Sequence, residues 1–148
     1  MRFAPLLLFA AALAVPVPAA LADANVDAPP IQNVDYEVGA AAVKMQDWPR
    51  AISHLTAALK ADGTNADIHN LLGYAYRKDG NLDAAFRQYD EALKLDPKHR
   101  GAHEYIGEAY LIAGNRAKAQ EHLAALGRIC GKGCEEYLDL AKAIATAR

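Results

Sequence analysis

Residues 66–99, ADIHNLLGYAYRKDGNLDAAFRQYDEALKLDPKH, decide the fold, because residues 100–133, RGAHEYIGEAYLIAGNRAKAQEHLAALGRICGKG, repeat their design without a gap. At an offset of 34, His69 falls on His103, Gly73 on Gly107, Ala75 on Ala109 and Tyr76 on Tyr110. Gly80, Asn81, Ala85 and Lys98 fall on Gly114, Asn115, Ala119 and Lys132. That makes eight identities, where chance gives about two or three. Carried backward, the frame puts Gly39 on Gly73, Ala51 on Ala85, Leu55 on Tyr89 and Ala58 on Ala92, so residues 32–65 form a more divergent first unit.

Each unit reads as two helices. In the middle one, Ile68, Leu71, Leu72, Ala75 and Tyr76 recur at helical spacing. Gly80-Asn81 interrupts them as a turn with positive φ open to both residues. Leu82, Ala85, Phe86, Tyr89, Ala92, Leu93 and Leu95 then resume the period until Asp96-Pro97 ends it. In the first unit Asp47-Trp48-Pro49 takes the turn, with Pro49 in the first turn of the second helix, where its missing N–H costs little.

These residues resemble the tetratricopeptide repeat. The middle unit carries that pattern as His69, Leu72-Gly73, Tyr76, Ala85, Tyr89, Ala92 and Pro97. The third keeps His103, Ile106-Gly107, Tyr110 and Ala119, then departs at Leu123, Leu126 and Gly131. The first keeps Val38-Gly39, Ala51, Leu55 and Ala58 but has Asp35, Ala42 and Gly63 where Trp, Tyr and Pro are expected. The resemblance implies an all-α, right-handed superhelical solenoid of three helix-turn-helix units, 32–65, 66–99 and 100–133. Gly73 and Gly107 let the paired helix approach, and Tyr76 and Tyr110 fill the space between neighbouring units. Residues 134–148 should cap the open end, with Tyr137, Leu138, Ala141 and Ile144 on one face of a helix over Glu135–Ala147.

The start of the chain reads differently. Residues 1–22, MRFAPLLLFAAALAVPVPAALA, place one cation before a short apolar centre and an Ala20-Leu21-Ala22 exit. That is the layout of a cleaved secretory signal peptide. An uncleaved anchor is the other reading, opposed by Pro16, Pro18 and an apolar run short of the ~20 residues a bilayer needs. Residues 23–31, DANVDAPPI, have little to bury and read as a flexible lead-in. The expected location is the periplasm or outside the cell, with no membrane span once the leader is gone.

Composition excludes some functions. The chain is 53% hydrophobic with a net charge of −2, or −3 without Arg2, so it carries no electrostatic footprint for nucleic acid. No Gly-rich phosphate loop, nucleophile elbow or HExxH motif occurs, so no enzyme and no cofactor is expected. His69 and His103 stand where the repeat keeps Trp and read as packed rings; His54 and His122 have no evident partner, and no metal site is expected among them.

The resemblance places ligand contacts on the first helix of each unit. Here those positions hold Asn33, Tyr36, Ala40 and Val43, then Asp67, Asn70, Tyr74 and Arg77, then Gly101, Glu104, Glu108 and Leu111. Tyr36, Asn70, Tyr74, Arg77, Glu104 and Glu108 are the candidate contacts for a protein segment, with the two glutamates favouring one that carries Lys or Arg. An ordinary solvated helix face is the competing reading, and self-association through the divergent end units is another. The chaperone-tail receptors of this family clamp a C-terminal carboxylate with Lys, Asn and Arg, but the matching positions are Tyr36, Ala40, Leu71, Gly101 and Tyr105. That ligand is excluded.

Cys130 and Cys134 bracket Gly131-Lys132-Gly133 ahead of the cap. In an exported chain they read as a disulfide that fixes the cap's docking angle, worth about 2 kcal/mol by loop closure. The alternative is a thiol-redox or soft-metal (copper) site on the same CxxxC loop, although it lacks the CxxC spacing and βαβ context of thioredoxin-like sites.

Overall fold

The computed structural model describes residues 33–147, which form seven α-helices and no strand. They are α1 (Val34–Lys44), α2 (Trp48–Ala61), α3 (Ala66–Lys78), α4 (Leu82–Leu95), α5 (Arg100–Ile112), α6 (Arg116–Ile129) and α7 (Glu135–Thr146). The expected leader (1–22) and lead-in (23–31) lie outside the described residues.

The helix starts follow from local chemistry. Asn33, Asp47, Asn65, Asn81 and Asn115 each accept a first-turn N–H through a side-chain oxygen, which satisfies a donor that the helix itself cannot. His99 does the same for α5 through Nδ1, accepting from the Ala102 N–H at 3.1 Å. The tight turns need a left-handed residue, supplied by Gly80 (φ 87°) and Gly114 (φ 75°). In the first hairpin Gln46 takes that role without glycine, at φ 58°. Asn81, for which positive φ was expected to be open, instead sits at φ −93° as the cap of α4.

Helices pair as α1/α2, α3/α4 and α5/α6, and each hairpin packs on the next. Three buried clusters result: Ala42, Ala51, Leu55, Ala58, Ile68, Leu72 and Ala75; then Ala85, Tyr89, Ile106 and Ala109; then Ala119, Leu126, Leu140 and Ile144. Tyr76 packs against the first two and Tyr110 against the last two, so these rings join the layers as the repeat implies. Gly39 and Gly73 admit the second helix of their own hairpin: a Cβ on Gly39 would lie 2.7 Å from Leu55, and one on Gly73 2.7 Å from the Tyr89 ring.

Two packing expectations are corrected. At Gly107 the closest neighbour is α7 and not the paired helix α6, since a Cβ there would lie 2.6 Å from Leu140. The cap faces inward through Leu140 and Ile144, while Leu138, expected on the buried face, is 53% exposed. A docked α7 turns the Leu140–Ile144 side toward α5 and α6, and Leu138 lies on the opposite side of its first turns.

Along the stack α1 touches α3, α3 touches α5 and α5 touches α7, whereas α2, α4 and α6 do not touch one another. The odd-numbered helices thus follow the shorter arc. They form the inner face of a curved stack.

Candidate partner-binding groove

The inner face carries an aromatic ladder that crosses three hairpins. Trp48, at the start of α2, meets Tyr74 of α3 edge-on with ring centroids 6.1 Å apart. Tyr74 then meets Tyr105 of α5 at 4.9 Å. Lys78 places its ammonium 5.9 Å from the Trp48 ring centre, and the Arg77 guanidinium lies 5.2 Å from Tyr74 and 5.6 Å from Tyr105. These rings, with Val43, Leu71 and Lys78, line an open cleft of about 310 Å³.

Beside the ladder the groove is acidic. Arg77 is 8% exposed and donates through Nη1 to Glu108 Oε2 at 2.6 Å. The Tyr89 hydroxyl lies near enough to sense the Arg77 charge but forms no hydrogen bond of good geometry, and its pKa is raised by burial. Glu104 is half-buried, one turn before Glu108. Its pKa is pushed up to about 7, first by burial and then by the charges of Glu108, Asp139 and Glu136, with Arg77 pulling the other way. Near neutrality this carboxyl is therefore only partly ionised. Tyr105 is pushed up to about 12, by burial and then by Glu104.

The six candidate contacts do not share one role. Tyr74 stands in the ladder, and Glu104 faces the acids of the cap. Arg77 and Glu108 are spent on each other. Asn70 is 9% exposed, its amide nitrogen close to Gly101 at the α3–α5 seam and its Oδ1 unpartnered, so it forms floor and not rim. Tyr36 is half-buried at the α1–α3 seam, where burial and then the Asp67 charge raise its pKa. Sequence reasoning omitted Trp48, Tyr105 and Lys78 from the candidate face, together with Glu136 and Asp139 of the cap.

The histidines resolve into a repeated polar tie. In each hairpin the same two frame positions meet: Asp35 Oδ1 with His54 Nδ1 at 2.8 Å, His69 Nδ1 with Gln88 Oε1 at 2.8 Å, and His103 Nδ1 with His122 Nδ1 at 2.9 Å. His69 and His103 also bond through Nε2 to the carbonyls of Gly63 and Pro97, again one repeat apart. Because His103 Nε2–H donates to Pro97, its Nδ1 must accept, and His122 Nδ1–H donates to it. These rings hold helix to helix. The signal was in the sequence, since 35/69/103 and 54/88/122 are polar in every unit.

Cys130 closes α6, and Cys134 stands at the N-cap of α7 with its Sγ 2.06 Å from that of Cys130.

A family model described as tetratricopeptide repeat matches residues 36–99 and 80–128, which together span most of the described residues. The chain belongs to the tetratricopeptide repeat family. Its fold is that family's all-α superhelix, as solved structures also show. The Arabidopsis OM64 TPR domain superposes with a TM-score of 0.70 at 21% identity, covering 76% of this chain and 92% of that one. The TPR2B-domain:pHsp70 complex of yeast Sti1 gives 0.69 at 20%, covering 78% and 96%. Among curated proteins, the chloroplastic TPR domain-containing protein PYG7 of Arabidopsis thaliana is 33% identical over 79 residues, 51% of this chain and 26% of that protein. This TPR chain thus spans about a quarter of that relative's length, and less of other curated relatives.

Proposed function

We propose that this TPR protein is a non-catalytic adaptor of the bacterial cell envelope that holds an extended protein segment along its inner face. The observation that carries the reading is the Trp48–Tyr74–Tyr105 ladder beside an open cleft. Rigid aromatic faces with polar neighbours give contact area at low entropic cost, which suits a peptide backbone threaded past them. Two similar solved structures, the first TPR of Spaghetti (RPAP3) bound to an HSP90 peptide and the Yersinia enterocolitica chaperone SycD in complex with a peptide of YopD, support a peptide as the ligand class. A terminal carboxylate as the gripped group is disfavoured by Tyr36, Ala40, Leu71, Gly101 and Tyr105 at the clamp positions. With Glu108 occupied by Arg77, Glu104 is the group that receives a Lys or Arg of the segment, ionising as it does so.

A display library of extended peptides selected on the purified protein tests this. Enrichment of Lys- or Arg-bearing segments, with binding weakened about tenfold or more by Tyr74→Ala at an unchanged melting temperature, is expected. No enrichment, or equal binding by Tyr74→Ala, refutes the groove. The envelope location rests on the leader-like residues 1–22. Fractionation that returns a periplasmic chain beginning at Asp23 supports it, and a cytoplasmic chain that keeps residues 1–22 refutes it.

A further inference from the structure

The junction between α6 and α7 gathers more than two sulfurs. One carboxylate oxygen of Glu136, the second residue of α7, and the sulfurs of Cys130 and Cys134 all lie within 4.8 Å of one another. We propose that, when the cysteine pair is reduced, these three side chains bind a divalent cation of the zinc type, so that the sulfur–sulfur bond and the metal are alternative tethers for the cap.

The donor set suits such an ion. Two thiolates and a carboxylate match zinc's borderline softness, and three intervening residues fall within the two to four usual for a zinc-binding cysteine pair. The Cα atoms are 5.9 Å apart. The sulfurs must open to about 3.8 Å to share a tetrahedral ion. No neighbour packs against the side-chain positions of the intervening glycines: a Cβ placed on Gly131 or Gly133 would meet nothing within 4 Å.

Glu136 supplies an independent pointer. Its Oε1 lies 3.4 Å from Arg100 Nε, whereas Oε2 is buried and has no hydrogen-bond partner. A dry, unpartnered carboxylate oxygen costs free energy that a cation removes. The start of α7 adds a third argument. It is the helix whose N-cap side chain makes no capping hydrogen bond, and a Cys134 thiolate there faces first-turn N–H groups and the positive end of the helix dipole. Two thiolates, one carboxylate and a divalent ion leave a single negative charge next to Arg100.

The chemistry balances with an external dithiol as reductant. It gives two electrons and two protons to the Cys130–Cys134 bond and leaves as its own disulfide. The incoming ion then displaces both thiol protons to solvent, while the Glu136 carboxylate joins without proton loss.

Cobalt(II) titration of the full chain, reduced with a dithiol and desalted without oxygen, tests the proposal. One equivalent should bind with thiolate-to-cobalt absorption and strong visible bands of a tetrahedral site, and zinc should displace it. Glu136→Gln should weaken binding at least tenfold, Cys134→Ser should abolish the thiolate bands, and His103→Gln should change nothing. The oxidised chain should bind no cobalt here. Absence of thiolate bands in the reduced protein overturns the proposal, as does equal affinity in Glu136→Gln or equal uptake by the oxidised chain. If Cys134→Ser loses its helical circular dichroism, Glu136→Gln decides the matter.

Discussion

Glu104→Gln keeps the shape of the side chain while removing an acid that faces Glu108, Asp139 and Glu136 from a half-buried position. Burial and those neighbouring acids push the native carboxyl up to about 7, from an ordinary value of 4.5. A displacement of that size corresponds to about 3 kcal/mol, which solvent screening of a half-exposed group reduces to about 1–2 kcal/mol. The folded state holds this proton more tightly than the unfolded chain. Native stability therefore falls as pH rises from 4.5 through 7 and is flat on either side of that window. Glutamine carries no such proton, so the variant should match the parent near pH 4.5 and exceed it at pH 8 by about 1–2 kcal/mol, or roughly 4–8 °C in melting temperature. Urea unfolding followed by circular dichroism at pH 4.5, 6 and 8 reads this directly. A variant that gains nothing at pH 8, or gains equally at every pH, refutes the crowded-acid account. The same change should weaken capture of Lys- or Arg-bearing segments, so the groove would hold an acid that costs stability and serves binding.

Three further outcomes follow from the geometry. His122 is depressed to about 4 by burial and then by His103, so its share of stability is present above about pH 6.5 and lost toward pH 4. His122→Gln, which copies the His69–Gln88 tie, should flatten that acid limb, and melting temperatures at pH 7 and 4.5 that keep the native slope count against it. Gly73→Ala should cost about 1–3 kcal/mol because the Tyr89 ring is fully buried and cannot retreat. That holds despite about 1 kcal/mol of helix propensity gained, and an unchanged urea midpoint is the opposing result. Arg77→Ala should destabilise by about 2–3 kcal/mol by stranding Glu108. Equal melting of Arg77→Ala and parent would return Arg77 to the binding surface.

The architecture was legible because the repeating positions are those that pack: Gly73 must admit Tyr89, and Ala85 and Ala119 must vanish into the interior, whatever the protein binds. The cap was legible as a helix but not in its rotation, since Leu138 and Leu140 are equally apolar and only docking on Gly107 selects Leu140. On the inner face, which helix a residue belongs to was legible and side-chain pairing was not. Tyr74 was readable from its place in the frame, whereas the Arg77–Glu108 ion pair depends on the spacing of α3 and α5, which no single helix encodes. Trp48 escaped because it belongs to a second helix, and it reaches the inner face only because α2 begins at that residue.

Leu140 occupying the notch at Gly107 sets the third hairpin apart from the first two. At Gly39 and Gly73 the equivalent notch holds a side chain from the hairpin's own second helix, Leu55 or Tyr89, whereas here the cap has taken that place. Anyone wishing to join another hairpin after α6 therefore has a defined splice point: displace α7 and leave the Gly107 notch to a side chain of α6, as α2 and α4 fill theirs.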